Sequence, residues 1–401
     1  MNALPRLLSM SAQEKIQLGV EATPAEIAQQ PEMWRDTARR VAEATPRVRA
    51  LLGSAGLPGS VAEVVFAGAG TSDFVGRCLE GPVSTALGTR AIGCPTTDIV
   101  THPEYAFPSD RPGVMASFAR SGNSPESLAA VEIVLAERPE VRHLIITCNA
   151  AGELAKRAAA LGDRAFVLAL DPRTNDRGLA MTSAFTSMVV AGLGLAYLDR
   201  VEEYVALVDR MAVAGERVLE VAPDVAEALA KRGPKRACFL GSGALVGAAT
   251  ECHLKLQELT DGGVICFYDT FLGLRHGPRA AVHDDTLVVC FLSSEAQVRR
   301  YEFDLIRSNR AQGIGLAHLL VADRADAELE QLADQVIAYD PNGKLALPDD
   351  ALSPVVTIVG QLLGLFASLE HGLKPDTPSA GGVISRVVQG VTIYPWERKR
   401  P

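Results

Sequence analysis

The chain has 401 residues, of which 48% are hydrophobic and 22% are charged, and its formal net charge at pH 7 is -9. This length allows two or three domains with a large core, and the hydrophobic content argues against a disordered chain. The acidic balance offers no basic surface for nucleic acid or an anionic membrane, so a phosphorylated ligand would have to be bound by local groups.

Cysteine usage and hydropathy both favour a cytoplasmic protein. The seven cysteines are scattered through apolar runs without a C-x-x-C pair, which is typical of reduced thiols. The start of the chain lacks a basic-then-apolar signal peptide, and the histidines lack metal-ligand spacing. Two uncharged windows, 180–198 and 352–369, approach the length of a membrane span, but their Ser, Thr, Gly, Gln and Pro content predicts buried helices.

The first predicted element is an N-terminal helical arm over residues 1–45. Thr23 and Glu26 have the spacing of a capping box, and a break is expected at Pro31. Further along the chain, a charge-rich helix is predicted over 206–232, ending at Gly233-Pro234. We expect this helix to connect two domains.

An internal repeat defines those two domains. VVFAGAGTSDFVG begins at residue 64 and ACFLGSGALVGAA begins 173 residues later, so that Gly68 aligns with Gly241 and Gly70 with Gly243. Each copy reads as a strand, a Gly-x-Gly turn and the start of a helix. A repeat of this length is typical of one α/β domain rather than a solenoid unit. We therefore predict one domain over 46–205 and a second over 233–401.

Further apolar runs alternate with amphipathic helical stretches, which is the pattern of parallel βαβ units. These strand candidates are GVMASFA, HLIITC and AFVLAL in the first half of the chain and TLVVCFL, HLLVAD and QVIAY in the second. The predicted fold class is α/β, with one parallel sheet flanked by helices in each domain.

The Gly-x-Gly turns do not complete a dinucleotide-binding motif. The position of its third glycine is occupied by Asp73 in the first copy and by Val246 in the second. The first turn is instead followed by two hydroxyl residues, Thr71 and Ser72, at the start of the predicted helix. Backbone N–H groups at a helix start, together with hydroxyls, are suited to binding a phosphomonoester.

A second hydroxyl-rich turn, RSGNSPES, follows the strand run GVMASFA. Helix capping by Ser124, with Pro125 at the first helical position, would explain part of this turn. Capping alone does not require Ser121 and Asn123 as well. We therefore predict that both turns bind the phosphate of a small phosphomonoester.

The segment ECHLKLQEL carries three charges on one face of a predicted helix. Glu251, Lys255 and Glu258 are four and three residues apart, so their side chains share a stripe beside an apolar face. Such a stripe can be an ordinary surface ion pair. It can also be a partly buried carboxylate tuned by a neighbouring lysine for proton transfer.

The order of these motifs resembles the double sugar isomerase (SIS) domain proteins. GTS, SGNSPES, MTSAFT, ECHLKLQEL and LRHGP follow one another as in the galactosamine-6-phosphate deaminase/isomerase branch, also called tagatose-6-phosphate ketose/aldose isomerase. AEIAQQPEMWRDT and RVVQGVTIYP look like that branch too, so the resemblance covers nearly the whole chain. It implies two tandem SIS domains, each a flavodoxin-like three-layer sandwich, and a homodimer or higher homo-oligomer with shared active sites.

The same resemblance, which extends to the isomerase half of glutamine:fructose-6-phosphate amidotransferase, implies roles for individual residues. Glu258 would move a proton between C1 and C2 of the open-chain sugar, with Glu251 and Lys255 lining the site. His276 of the LRHGP turn, reached from a neighbouring subunit, would help to open the sugar ring. The implied substrate and phosphate contacts are Gly70, Thr71, Ser72, Arg120, Ser121, Asn123, Ser124 and Thr182.

Two departures from the amidotransferase affect the expected chemistry. The chain begins at Met1 without a glutaminase domain, and Gln389 stands where the amidotransferase has a lysine close to the sugar. We therefore expect ammonia itself to be the amine exchanged, with no metal or organic cofactor.

The expected reaction is the conversion of D-galactosamine 6-phosphate to tagatose 6-phosphate and ammonia. A plain aldose/ketose phosphate isomerase and a non-catalytic phosphosugar sensor are the alternatives. The sequence leaves open the galacto or gluco configuration and whether N-acetylated sugars bind.

Overall fold

A computed structural model of the chain describes residues 2–59, 61–388 and 390–396. Gln389 lies outside the described residues. The strands are β1 Glu63–Ala67, β2 Arg90–Gly93, β3 Gly113–Ala119, β4 Arg142–Thr147, β5 Ala165–Ala169, β6 Arg236–Gly241, β7 Ile265–Thr270, β8 Thr286–Phe291, β9 Ala317–Ala322 and β10 Gln335–Ala338. The helices are α1 Ala3–Leu8, α2 Ala12–Leu18, α3 Thr23–Ala28, α4 Gln30–Ser54, α5 Thr71–Leu87, α6 Thr96–Thr101, α7 Pro125–Glu137, α8 Glu153–Ala159, α9 Ser183–Leu193, α10 Val201–Lys231, α11 Leu245–Leu259, α12 Ala296–Ala311, α13 Ala327–Leu332 and α14 Ser353–Glu370.

Two parallel sheets of five strands have the same topology. The first has the order β2-β1-β3-β4-β5 and the second the order β7-β6-β8-β9-β10. All paired strands are parallel, and Glu63 pairs with Gly113 as Arg236, 173 residues later, pairs with Thr286. Helices flank each sheet, so the predicted α/β class with two tandem SIS-type domains is confirmed.

The repeated glycines are required by the turn that joins each first strand to its helix. A Cβ atom on Gly68 would lie 2.3 Å from the backbone of Ser72, and one on Gly241 would lie 2.5 Å from the backbone of Leu245. Gly70 and Gly243 have φ values of 55° and 56°, in the left-handed region that favours glycine. The two copies therefore share the same turn.

The chain divides into two compact units. The first-sheet unit contains Asp36–Asn175 and Ser187–Val205, together with the described residues from Ile384 on. The second-sheet unit contains the described residues up to Arg35, together with Asp176–Thr186 and Ala206–Val383. The continuous domain limits expected from the sequence, 46–205 and 233–401, stay predictions.

The N-terminal arm is helical, but its predicted capping box is wrong. Thr23 is already helical, and its hydroxyl donates to Asp376 at 2.7 Å, while Glu26 accepts from the backbone N–H of Arg177 at 2.6 Å. Both side chains bind segments that are distant in sequence, which local spacing does not reveal. A capping box does form at Ser11 and Glu14, at the start of α2.

Helix α14 is the one described helix whose length and apolar composition would suit a membrane span, and 89% of that window is buried inside the protein. It packs tightly on α11 in the second-sheet unit. A Cβ atom on Gly360 would lie 2.4 Å from Sγ of Cys252, and one on Gly364 would lie 3.0 Å from the carbonyl oxygen of Lys255. Two glycines one helical turn apart thus allow close contact between the helices, and the prediction that 352–369 is a buried helix is confirmed.

All seven cysteines are buried, and none forms a disulfide. Burial raises the pKa of Cys94 to about 11 and raises the pKa values of Cys238, Cys266 and Cys290 further. These four thiols therefore stay protonated at neutral pH.

Candidate active site

The three charged side chains of α11 form one ion cluster. Nζ of Lys255 lies 3.3 Å from Oε1 of Glu251 and also donates a short hydrogen bond to Oε1 of Glu258. The side chains of Glu251 and Lys255 are 0% and 1% exposed, whereas that of Glu258 is 16% exposed. Only the Glu258 carboxylate is therefore within reach of a molecule outside the protein.

Electrostatics within this cluster keep the lysine charged. Burial by itself lowers the pKa of Lys255, but the charges of Glu251 and Glu258 and their hydrogen bonds outweigh it, so the net effect raises the pKa. A lysine that stays protonated is a counter-ion rather than a nucleophile. Glu251 contacts Lys255 from the buried end of the cluster, and its role in the site stays a prediction.

Helix α14 packs against the helix that carries this cluster. Gly364 brings the α14 backbone against α11 at Lys255, and Leu256 and Leu259 are also buried on α11. The α11 stripe is buried at Glu251 and Lys255 and open at Glu258. The reading of these charges as an ordinary surface ion pair is wrong, since such a pair would leave both partners in water.

His276 lies in the same second-sheet unit as the cluster, at the end of a 3-10 turn, Gly273–His276, that follows β7. Its side chain is exposed. Within the part of the chain that the structure describes, it forms no hydrogen bond or ion pair. Its role in ring opening from a neighbouring subunit stays a prediction.

The hydroxyl turns belong to the first-sheet unit, at the carboxyl ends of neighbouring strands. Gly70, Thr71 and Ser72 follow β1, and the turn that starts at Arg120 follows β3, which pairs with β1. The strand order reverses between these two strands, which is where open α/β sheets bind ligands. Gly70 is exposed at the tip, whereas Thr71 and Ser72 are 5% and 7% exposed.

The second turn is held by its own hydrogen bonds and by the loop that follows β4. Oγ of Ser121 accepts from the backbone N–H of Asn123 at 3.3 Å, and Oδ1 of Asn123 accepts from the backbone N–H of Glu153 at 3.0 Å. Ser124 is the N-cap of α7, as predicted, but its hydroxyl donates to Oγ of Ser127 rather than capping the helix. The bond from Glu153 to Asn123 ties the turn to the start of α8, because Glu153 is the first residue of that helix.

Arg120 adds a cation to this turn, although it is only 7% exposed. Its guanidinium donates to the backbone carbonyl of Arg386, whose own guanidinium donates to Oδ1 of Asn175 at 2.7 Å. The sequence does not predict that contact, because the two residues are 266 positions apart and no motif links them. The C-terminal tail thus lies against the predicted phosphate turn within the first-sheet unit.

Thr182 is fully buried in the second-sheet unit. Its backbone N–H donates to Asp176 at 2.7 Å, and its carbonyl accepts from Gln361 at 3.3 Å. Gln361 continues a buried hydrogen-bonded chain through Gln30 to Thr186. The MTSAFT segment is therefore tied to the arm and to α14, and a substrate contact of Thr182 stays a prediction.

Known proteins resemble the chain over most of its length. A D-galactosamine-6-phosphate deaminase AgaS from Escherichia coli is 39% identical over 338 residues, which are 83% of this chain and 85% of the relative. Another from Shewanella sp. strain ANA-3 is 33% identical over 392 residues, which are 97% of this chain and 96% of the relative. The chain belongs to the AgaS family. No model of a protein family matches it.

A solved structure agrees with this assignment. The crystal structure of tagatose-6-phosphate ketose/aldose isomerase from Escherichia coli superposes on this AgaS-family chain with a TM-score of 0.83 at 33% identity. The match covers 94% of this chain and 97% of that protein. The resemblance to the galactosamine-6-phosphate deaminase/isomerase branch of the SIS proteins is therefore confirmed.

Proposed function

We propose that the protein converts D-galactosamine 6-phosphate and water to tagatose 6-phosphate and ammonia. Its membership of the AgaS family supports this reaction. The observation that carries the proposal is the exposure pattern of α11, in which Glu258 alone reaches the surface while its counter-ion Lys255 is closed off. A carboxylate held in this way is suited to removing a proton bound to carbon.

The proposed chemistry uses the chain's own side chains. After ring opening, Glu258 takes the proton from C2 of the amino-aldose and returns it to C1, while O1 gains a proton and the C2 amino group loses one, which gives a ketimine. Water then adds to the C2 carbon of the ketimine, and ammonia leaves to give the ketose. Lys255 stabilises the ionised Glu258 and stays protonated throughout, so no covalent bond to the enzyme forms.

The hydroxyl turns are proposed to bind the phosphate group. Thr71 and Ser72 open α5, and their backbone N–H groups lie at the positive end of the helix dipole. Ser121, Ser124 and Arg120 would bind from the second turn. Phosphate binding at a fixed point orients the sugar and contributes to rate without taking part in proton transfer.

The deciding experiment measures ammonia release from galactosamine 6-phosphate and glucosamine 6-phosphate in parallel. Glu258→Gln should lower kcat by about 10²–10⁴-fold, which is the range for loss of a general base. Glu203→Gln is the matched control, since Glu203 also pairs with a cation three residues away, Arg200, but is exposed. The control should keep wild-type activity.

Each outcome separates one of the alternative functions. Conversion of tagatose 6-phosphate to an aldose without ammonia release would leave the plain isomerase. Sugar binding that survives Glu258→Gln, with no turnover by the wild type, would leave the sensor and overturn the enzyme. The preferred sugar decides between the galacto and gluco configurations.

We also propose that the protein is a cytoplasmic homodimer. Its seven free, buried cysteines fit a reducing compartment. The exposed His276 fits a site completed by a second copy of the chain. Size-exclusion chromatography coupled to light scattering measures the oligomeric state.

A further inference from the structure

The second sheet has the same strand-end crevice as the first. Ser242 follows β6, and Ser293 and Ser294 follow β8, its parallel neighbour. Ser293 and Ser294 stand 173 residues after Arg120 and Ser121, which occupy the corresponding place in the first sheet. The second repeat therefore has hydroxyl groups where the first has its predicted phosphate turn.

A carboxylate from the same unit occupies this crevice. Oδ1 of Asp349 accepts from the backbone N–H and from the hydroxyl of Ser294, both at 2.7 Å. Its other oxygen accepts a short hydrogen bond from the hydroxyl of Ser293. A backbone N–H and two hydroxyls around one anion form the same kind of donor set that binds a phosphate oxygen.

A second carboxylate, that of Glu302, accepts hydrogen bonds from the remaining donors of this crevice. Glu302 is 0% exposed on α12 and accepts from Oγ of Ser242 at 2.7 Å and from the backbone N–H of Ser293 at 3.0 Å. Burial, reinforced by the charge of Asp349, raises the pKa of Glu302 to about 7. An external phosphate would meet two acids here.

The corresponding turn of the first sheet is different. In residues 2–59, 61–388 and 390–396, no carboxylate is hydrogen-bonded to Ser121 or Ser124. Ser121 accepts from the backbone of Asn123, and Ser124 bonds to Ser127. These hydroxyls therefore face no internal anion.

We propose that the second repeat retains an anion cradle that Asp349 occupies from within the chain, so that each chain binds one phosphate group rather than two. The placement of that one site in the first sheet rests on the proposed function. The self-occupied cradle does not, because it depends only on contacts within the second-sheet unit. It would hold equally for a deaminase, an isomerase or a sensor.

The test removes the internal anion and supplies an external one. Asp349→Ala should show a saturable rise in unfolding temperature with inorganic phosphate at constant ionic strength, larger than that of the wild type, because phosphate then binds the two hydroxyls and the backbone N–H that Asp349 leaves beside Glu302. Equilibrium binding of phosphate should change from one per chain in the wild type to two in the variant. The double variant Asp349→Ala/Ser294→Ala should lose the additional site.

Asp340→Ala is the matched control. Asp340 is another carboxylate of this unit, and it accepts from the backbone N–H groups of Lys344 and Leu345 at 2.9 and 2.8 Å. Its turn contains no serine hydroxyl, so phosphate should not rescue its loss. Equal phosphate dependence in Asp349→Ala and Asp340→Ala would overturn the proposal.

The proposal also faces a test that does not depend on any variant folding. Two phosphates bound per wild-type chain, both displaced by galactosamine 6-phosphate, would contradict it. If Asp349→Ala folds only when phosphate is present, the cradle is supported directly. If it folds in neither condition, Asp349→Ser, which leaves a smaller polar side chain, is put through the same phosphate titration, and no added stabilisation over the wild type would count against the cradle.

Discussion

Lys255 is the residue on which the α11 cluster depends. It is the cation between two carboxylates, one of which has no exposed surface. Isolated buried charges are strongly unfavourable, whereas a paired set is tolerated. The stability and the proposed catalysis of the site therefore share one side chain.

Replacing this lysine should destabilise the protein. Lys255→Met leaves Glu251 and Glu258 facing each other without a counter-ion, and we expect the free energy of unfolding to fall by about 3–5 kcal/mol. Urea unfolding at pH 7 measures the change. Lys231→Met is the control, because Lys231 is exposed and pairs with Glu227 at 3.0 Å on the surface of α10; its loss should change stability by less than about 1 kcal/mol.

The sequence predicted that these three charges lie on one face of a helix, but it could not predict which of the two acids is buried and which is accessible. Both Glu251 and Glu258 are one helical turn from Lys255, so their positions in the sequence do not distinguish them. What separates them is burial in the folded chain, where the Glu251 side chain is 0% exposed and that of Glu258 is 16% exposed. The difference between the buried acid and the accessible acid is therefore a packing effect.

The elements that the sequence did predict are those with a continuous apolar run. All six further strand candidates correspond to strands in the structure, and both Gly-x-Gly turns are in place. The missed strands are β2 and β7, which occupy the same edge of their respective sheets. Each contains only one fully buried residue, but the edge position alone does not explain the difference, since β5 and β10 are edge strands that were predicted.

The repeated turn predicts an unequal effect of two neighbouring glycine substitutions. Gly243→Ala should lower the free energy of unfolding by about 1–2 kcal/mol, because only the left-handed backbone is strained and the space around it is open. Gly241→Ala should lower it by more, since its Cβ would overlap the backbone of Leu245 at 2.5 Å. Thermal unfolding of the two variants compares them directly, and equal losses would contradict the steric argument.

At the scale of the whole molecule, buried histidines and buried acids change the stability in opposite directions as the pH changes. Burial lowers the pKa of His143 in β4 and of His318 in β9 to about 4. The unfolded chain then binds more protons than the folded one between pH 4 and about 6.5. Stability from these histidines is present above pH 6.5 and is lost as the pH falls toward 4.

Two buried acids act in the other direction. Burial first, and then neighbouring carboxylates, raise the pKa values of Glu26 and Glu302 to about 7. The folded state binds their protons more tightly, so their contribution is full below about pH 4.5 and is lost as the pH rises through 7. The wild-type pH profile is the sum of both effects.

A single variant isolates the histidine contribution. His143→Leu should become more stable relative to the wild type by up to about 3 kcal/mol between pH 7 and pH 4, because it has no proton to gain on unfolding. Urea unfolding at several pH values in this range tests the change of slope. His102→Leu, at an exposed position, should follow the wild-type profile.

The proposed shared site predicts complementation between two inactive proteins. If His276 serves the Glu258 of a neighbouring subunit, mixing Glu258→Gln with His276→Ala under subunit exchange should restore about a quarter of wild-type activity, because half of the dimers are mixed and each has one intact site. Ammonia release from galactosamine 6-phosphate measures the recovery. A mixture as inactive as its components would place both residues in the same subunit's site.

The burial of every thiol has a practical consequence for following how the protein opens. Because the cysteines are at most 9% exposed in the native fold, alkylation should proceed mainly as segments open, and its rate then reports on that opening. Cys78, Cys94 and Cys148 belong to the first-sheet unit and the other four to the second-sheet unit. Mass spectrometry of partially alkylated protein would therefore reveal which half of the repeat opens first.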